Sequence, residues 1–332
     1  MHKIRFVKFV FILAAFAAFF VLDANGQILI GKRASSSIAV KSKMIDAKKL
    51  LHDIEYLSSD EMEGRSADRP SMQKARDYIE KRFKESGLRP MGKTYRSEFE
   101  IAKRGKTEKL NGVNFVGTIN GSKSASKYIV ITAHYDHVGM QSGDTYNGAD
   151  DNASGTAALF AVASYFKKNR PEHSLIFAAF DAEEKGLQGA KHFVANLLVA
   201  KESIVLNVNM DMLSRSDKGE LYAVGTLHYS QFIGVLEKVK KKARMKLLRG
   251  HDIPGTGQED WTNQSDHAAF HAAKIPFIYF GVEDHKDYHK PTDDFANIQP
   301  EFYVKAVETV LNVIKEIDRE KWGSGIGISY SE

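Results

Sequence analysis

The chain has 332 residues, 43% of them hydrophobic, no cysteine and a formal net charge of +5. That composition belongs to a globular protein long enough for one large core or two small ones. It excludes disulfides and thiolate metal sites, and the charge excess is too small to argue for a nucleic-acid or anionic-membrane partner.

The chain opens MHKIRFVKFVFILAAFAAFFVLDANGQ. A basic start (Lys3, Arg5, Lys8), an apolar run and then small residues form the layout of a secretory signal peptide. The run is short for a membrane span of about 20 residues, and Ala24-Asn25-Gly26 offers a small-x-small cleavage pattern. Residues 1–26 are therefore expected to be removed near Gly26. The protein would then be exported to periplasm or medium without stable membrane association. Removal deletes Lys3, Arg5, Lys8 and Asp23, so the net charge falls by 2, from +5 to +3. Residues 27–43, rich in Ser and Lys, read as a flexible lead-in.

Two amphipathic patterns follow. MIDAKKLLHDIEYLSS places Met44, Ala47, Leu51, Ile54 and Leu57 at helical spacing, and SMQKARDYIEKRFKESGL repeats the pattern before Gly87. YRSEFEIAK and LNGVNFVGTING read as strands. Four apolar runs then each end in potential metal ligands. KYIVITAHYDH reaches His134, Asp136 and His137. HSLIFAAFDAEE reaches Asp181, Glu183 and Glu184. SIVLNVNMDM reaches Asp211, and KIPFIYFGVEDHKDYH reaches His285, Asp287 and His289. Helical patterns at Thr156–Lys168, Leu187–Ala200 and Ser230–Met245 separate them, and Phe302–Ile317 gives a last amphipathic helix. Alternating strands and helices predict an α/β fold with a mixed, mostly parallel central sheet and helices on both faces. Residues 44–320 read as a single domain, with 321–332 as a tail. If the four strands are parallel, all four ligand-bearing ends lie on one edge of the sheet.

The residue types at those ends suit a pair of zinc ions held by imidazoles and carboxylates. His134 is a candidate ligand. Asp136, two residues on, would lie on the same side of an extended chain and accept the other ring N–H of His134. NGADDNASGTA carries two aspartates before a helix; one would cap the helix, and Asp151 is favoured as a carboxylate bridging two cations, with Asp150 in support. Adjacent Glu183 and Glu184 point apart, so Glu184 can bind metal while Glu183 acts as general base on the attacking water. Asp211 would be costly to bury alone. His289 completes the set, with Asp293 or Asp294 to orient it. Asp151, Glu183, Glu184 and Asp211 sum to −4, which two Zn²⁺ ions balance. His137, His285 and Asp287 are spare candidates that read as surface or supporting residues before ligands. His192, His228, His251 and His271 read as structural.

Taken in order, HYDH, GADDNASGTAAL, FAAFDAEEKGLQGA, NVNMDM, SDHAAF and DYHKPTDD resemble metallopeptidase family 28, the co-catalytic zinc aminopeptidases of the bacterial leucyl type. LSSDEMEGR resembles the lead-in of bacterial members. The resemblance implies two zinc ions bridged by Asp151, one completed by His134 and Asp211, the other by Glu184 and His289. It further implies Glu183 as base, Tyr288 as a phenol that steadies the oxyanion, a supporting role for Asp266 in Ser265-Asp266-His267, and a cis Asp151–Asn152 peptide. HYDHVG departs from the usual H-x-D-S of the family. The expected substrates are peptides with a free N-terminus, with Trp261 a candidate contact. Two other readings stand beside this one. A glutaminyl-peptide cyclase would use a single zinc, and a binding domain on the same fold would require lost ligands.

Overall fold

The computed structural model describes residues 40–102 and 107–322, together with a short antiparallel pair, β1 (Val21–Leu22) and β2 (Ile28–Leu29). The rest of the expected signal peptide, most of the lead-in and all but the first two residues of the tail lie outside the described residues.

From residue 40 the order is α1 (Ala47–Leu57), α2 (Met72–Glu85), β3 (Arg89–Pro90), β4 (Arg96–Ala102), β5 (Lys109–Ile119), β6 (Ser124–His134), the hairpin β7 (Gly139–Gln141) and β8 (Asp144–Tyr146), α3 (Gly155–Lys168), β9 (His173–Phe180), α4 (Gln188–Ala195), β10 (Ile204–Met210), β11 (Glu220–Val224), α5 (Ile233–Lys240), β12 (Lys246–Arg249), α6 (His267–Ala272), β13 (Phe277–Gly281) and α7 (Pro300–Arg319). Asp46 caps α1 by accepting the Lys49 amide N–H, and the helix buries Leu50, Ile54 and Leu57 along one stripe. Pro300 sits in the first turn of α7, where its missing N–H removes no helical bond.

One nine-stranded sheet runs β12-β11-β13-β10-β6-β9-β5-β3, with β4 also on β5. Its centre, β13-β10-β6-β9, is parallel throughout. On one side β5 is antiparallel to β9, and β3 and β4 to β5; on the other β11 is antiparallel to β13. The expected mixed sheet thus has its parallel strands in the middle and its antiparallel pairings to either side, with β12 again parallel to β11 at one edge. Alternation assigns the two faces. In β9, Leu175, Phe177 and Ala179 pack with α1, α2, α3, α5 and α7, while Ile176, Ala178 and Phe180 pack with α4 and α6. Both faces of the strand are covered, so it is buried from end to end.

Two helices are shorter than their sequence patterns. The expected Leu187–Ala200 helix stops at Ala195, where Asn196 leaves helical geometry and both its backbone and side-chain N–H groups donate to the His192 carbonyl. The expected Ser230–Met245 helix is regular only over Ile233–Lys240 and is preceded by a single 3₁₀ turn. Among the described residues no helix is long and apolar enough to cross a membrane.

Candidate metal centre

Because the four central strands are parallel, their carboxyl ends share one edge. His134 is the last residue of β6, Asp211 follows β10, the Asp181–Glu184 segment follows β9, and the loop bearing Tyr288 and His289 follows β13. Asp151 lies in the irregular turn that opens α3, and the Asp151–Asn152 peptide is cis, as the resemblance implies.

The side chains converge. His134 Nε2 lies 3.3 Å from Asp211 Oδ1 and 3.4 Å from Asp151 Oδ1. The other oxygen of the same aspartate, Asp151 Oδ2, lies 3.0 Å from His289 Nε2, which is itself 3.4 Å from Glu184 Oε1. The two oxygens of Asp151 thus face two separate ligand groups. One group is His134, Glu183 and Asp211. The other is Asp151, Glu184 and His289, joined by His137, and within each group one donor atom per residue lies within 4.8 Å of every other. The donor set fits divalent zinc: imidazole nitrogens and carboxylate oxygens, no thiolate. Buried polar atoms support that fit. Glu184 Oε1 and both ring nitrogens of His137 are buried without a hydrogen-bond partner, and buried polar atoms are otherwise nearly always satisfied.

The local electrostatics carry the same signature. Burial opposes a charge on His134, but Asp211, Glu183 and Asp151 overcome it and hold the imidazole well above its ordinary range. The Asp151 and Glu184 carboxylates, 3.0 and 3.4 Å from its Nε2, raise His289 to about 10. Burial pushes Glu183 well above the usual carboxylate range; His134 opposes the shift, while Asp266, Asp211 and Glu184 reinforce it. Burial also raises the Tyr288 phenol, helped by Asp151 and Asp211, and its ring stacks on His289 at 4.0 Å. Ser265 donates to Asp211 Oδ2 at 2.7 Å, which fixes that carboxylate.

The supporting residues differ from their expected contacts. The carbonyl of Asp136, 3.1 Å from His134 Nδ1, lies closer to the ring than its carboxylate, at 3.8 Å. That carboxylate instead accepts the backbone N–H groups of Glu183 and Glu184, at 3.0 and 3.3 Å, and so shapes the turn that presents both glutamates. Asp293 holds the backbone N–H of Asp150 and Asp151, and Asp294 accepts from Asn147, so their hydrogen bonds do not run to His289. Asp266 is fully buried beside the centre, with both carboxylate oxygens unpartnered, and burial raises it to about 7.

His285 is buried with Nε2 3.0 Å from Asp150, whose other oxygen accepts from the Ser214 amide N–H and hydroxyl. Asp287 is taken by Arg215 and Thr292. His137, expected at the surface or in support, is 1% exposed and faces Glu184 and Asp151. His251 stacks on Trp261 at 3.7 Å, and Trp261 lines the cleft with Met212, Tyr279, Val282 and Asp284.

Sequence reading missed Arg65. This guanidinium is fully buried, yet its hydrogen bonds all go to carbonyls, those of Tyr135, Leu57, Asn147 and Gly148, which ties the loop after His134 to the loop before Asp151. Its segment, LSSDEMEGR, had been notable only for its resemblance.

A mixed sheet with a parallel centre and two facing ligand groups at its carboxyl edge defines the class of α/β fold. Solved structures agree on the fold. The zinc aminopeptidase BSAP of Bacillus subtilis aligns with a TM-score of 0.67 at 18% identity, covering 86% of this chain and 98% of that one. A Zn-dependent exopeptidase of Parabacteroides distasonis aligns at 0.63 and 19%, covering 83% and 99%, and the glutaminyl cyclase of Porphyromonas gingivalis at 0.67 and 15%, covering 83% and 100%. The model of peptidase family M28 matches residues 114–314, and the chain belongs to that family. Aminopeptidase YwaD of Bacillus subtilis is 33% identical over 204 residues, which cover 58% of this chain and 42% of that protein. The alkaline phosphatase isozyme conversion protein of Escherichia coli is 27% identical over 207 residues, 58% of each chain. The chain therefore spans about half the length of these relatives.

Proposed function

We propose that this protein is an exported zinc-dependent exopeptidase, most specifically an aminopeptidase that hydrolyses the first residue from peptides with a free N-terminus. The observation that carries the reading is the splayed Asp151 carboxylate, with one oxygen toward His134 and the other toward His289. His134, Asp151 and Asp211 would hold one zinc, and Asp151, Glu184 and His289 the second. When bound, the ions supply Lewis acidity toward the scissile carbonyl and lower the pKa of the attacking water.

The chain's own residues do the rest. Glu183 takes a proton from the water and returns it to the departing amine nitrogen. Tyr288, on the cleft wall, offers its O–H to the oxygen on which charge develops. Met212, Trp261, Tyr279 and Val282 give the cleft an apolar wall for a side chain, while Asp284 offers a carboxylate for the free amino group. Asp136 and Asp293 position, through backbone N–H groups, the residues that would touch substrate or metal, and Asp266 lies buried beside them. The basic, then apolar, then small-residue N-terminus supports export.

The experiment is a panel of aminoacyl anilides assayed with the zinc-loaded chain, beside N-acetylated copies and chelator-treated enzyme. The reading expects hydrolysis of the free substrates alone, abolished by chelator and restored by zinc. Equal hydrolysis of blocked substrates would remove the aminopeptidase assignment. Conversion of a Gln-peptide to its cyclised form without hydrolysis of a Leu-peptide would replace it with cyclase activity.

A further inference from the structure

We propose that His137 is a fourth protein ligand, through Nδ1, of the metal held by Asp151, Glu184 and His289, so that the two metals of this centre have unequal coordination. The inference rests on the two-zinc reading above and extends it to a residue that the sequence pattern offers only as a spare candidate and the resemblance does not place among the ligands.

Three observations carry it. First, His137 Nδ1 lies 2.9 Å from Glu184 Oε1 and 3.6 Å from Asp151 Oδ2. His289 Nε2 lies 3.0 and 3.4 Å from the same two carboxylates. A tetrahedron with bonds of about 2.1 Å, as zinc makes to imidazole and carboxylate, has edges of about 3.4 Å. The four known edges scatter around that value.

Second, the 2.9 Å contact is not a hydrogen bond: both ring nitrogens of His137 and Glu184 Oε1 lack a partner of suitable alignment. An ion held between these two buried atoms would satisfy both.

Third, the ring is built in. It is buried, its backbone N–H donates to the Arg65 carbonyl, and Arg65 in turn grips the carbonyls of Tyr135 and Gly148 on either side of the loop. Gly148 is at φ 57, and a Cβ there would stand 2.5 Å from the His137 ring and 2.1 Å from the Asp151 carbonyl. The backbone thus gives up a side chain where the imidazole passes.

The consequence is asymmetric. His137, Asp151, Glu184 and His289 make four donors, the number that closes a zinc site, whereas His134, Asp151 and Asp211 make three. The three-donor metal is the one grouped with Glu183, so the open position for water falls beside the base.

The test uses the full chain and its His137→Ala and His137→Gln variants. Zinc stoichiometry and affinity are measured by chelator competition, and melting temperature is measured with zinc and with chelator. The proposal expects the parent to bind two ions. Each variant should keep one tight ion and bind the second at least about 100-fold more weakly, at or beyond the upper end of what loss of an outer-sphere partner does. It also expects chelated variants to melt with the chelated parent and to lose only part of the zinc-induced rise. Two ions bound by the variants with affinities within about threefold of the parent would overturn the proposal and leave the two-zinc reading standing. Loss of both ions would overturn the assignment to one metal. A parent that binds no zinc would defeat both.

Discussion

Among the three acids of the decapeptide FAAFDAEEKG, buried Asp181 and half-buried Glu184, three residues apart, have opposite solutions to the same problem. Asp181 is fully buried, and its Oδ2 accepts from Arg76 Nη2 at 2.8 Å, the Tyr135 hydroxyl at 3.0 Å and the Val113 amide at 3.0 Å. Its charge is balanced by a cation of the protein itself. Glu184 faces His137, His289 and, beyond them, a second acid, Asp151. No lysine or arginine balances that group among the described ion pairs, and protonated imidazoles or metal ions must do so. The same contrast separates Asp53, clamped by both ends of the Arg82 guanidinium, from Asp211, which has His134 and a serine hydroxyl. Buried acids matched to a guanidinium hold elements together; those matched only to imidazoles and to each other make a candidate metal centre.

The comparison breaks most visibly at Glu183. Glu183→Gln should lower kcat by about 10³–10⁴-fold, the upper range for a general base, while zinc content stays unchanged. Near-parental turnover in that variant would remove the base. On the other side of the divide, Arg76→Ala strands Asp181 and should destabilise the fold by about 3–5 kcal/mol, read as a lower denaturant midpoint, with two zinc ions still bound. Its mirror image is Glu184→Gln, which should lose zinc without lowering the melting temperature of the chelated protein. If each of these variants showed the other's phenotype, the two classes of acid would have been confused.

A smaller effect is expected at Tyr288. Tyr288→Phe keeps the ring stacked on His289 but removes the O–H, and should lower kcat by about 10²-fold with KM little changed. The smallest effect is on pH dependence. Neighbouring carboxylates hold His289 at about 10, so it carries a proton near neutrality in the absence of metal, and they favour the protonated form of His134 too. Zinc must displace those protons, so affinity should rise with pH by about tenfold per pH unit for each proton released, and fall as pH drops. Calorimetry in buffers of different ionisation enthalpy counts the protons; none released would mean that the imidazoles are not ligands.

Much of this was legible because strands bury in a simple way. Continuous apolar runs such as HSLIFAAF announce strands covered on both faces, and the first polar residues past such runs mark the carboxyl edge of a parallel sheet. His134, Asp151, Glu183, Glu184, Asp211 and His289 stand together there because each lies at a strand end or in a turn that opens or follows an element on that edge. What misled was period-two reasoning carried past the end of β6. The strand stops at His134, and beyond it the chain turns. Asp136 therefore swings its carboxylate to the glutamate turn, and His137 comes inward instead of staying outside. Arg65 gave no signal because its partners are backbone carbonyls, which every sequence has. The short strands β11 and β12 at one side of the sheet, five and four residues long, lacked an apolar run long enough to register.

The central claim, that crowded acids at this edge are balanced by two divalent ions, is tested most directly by counting metal. The full-length chain, dialysed against zinc and then against zinc-free buffer, should retain two zinc ions per molecule by elemental analysis, and chelation should remove both ions and peptide hydrolysis together. A folded, fully active chain that retains none would contradict the account.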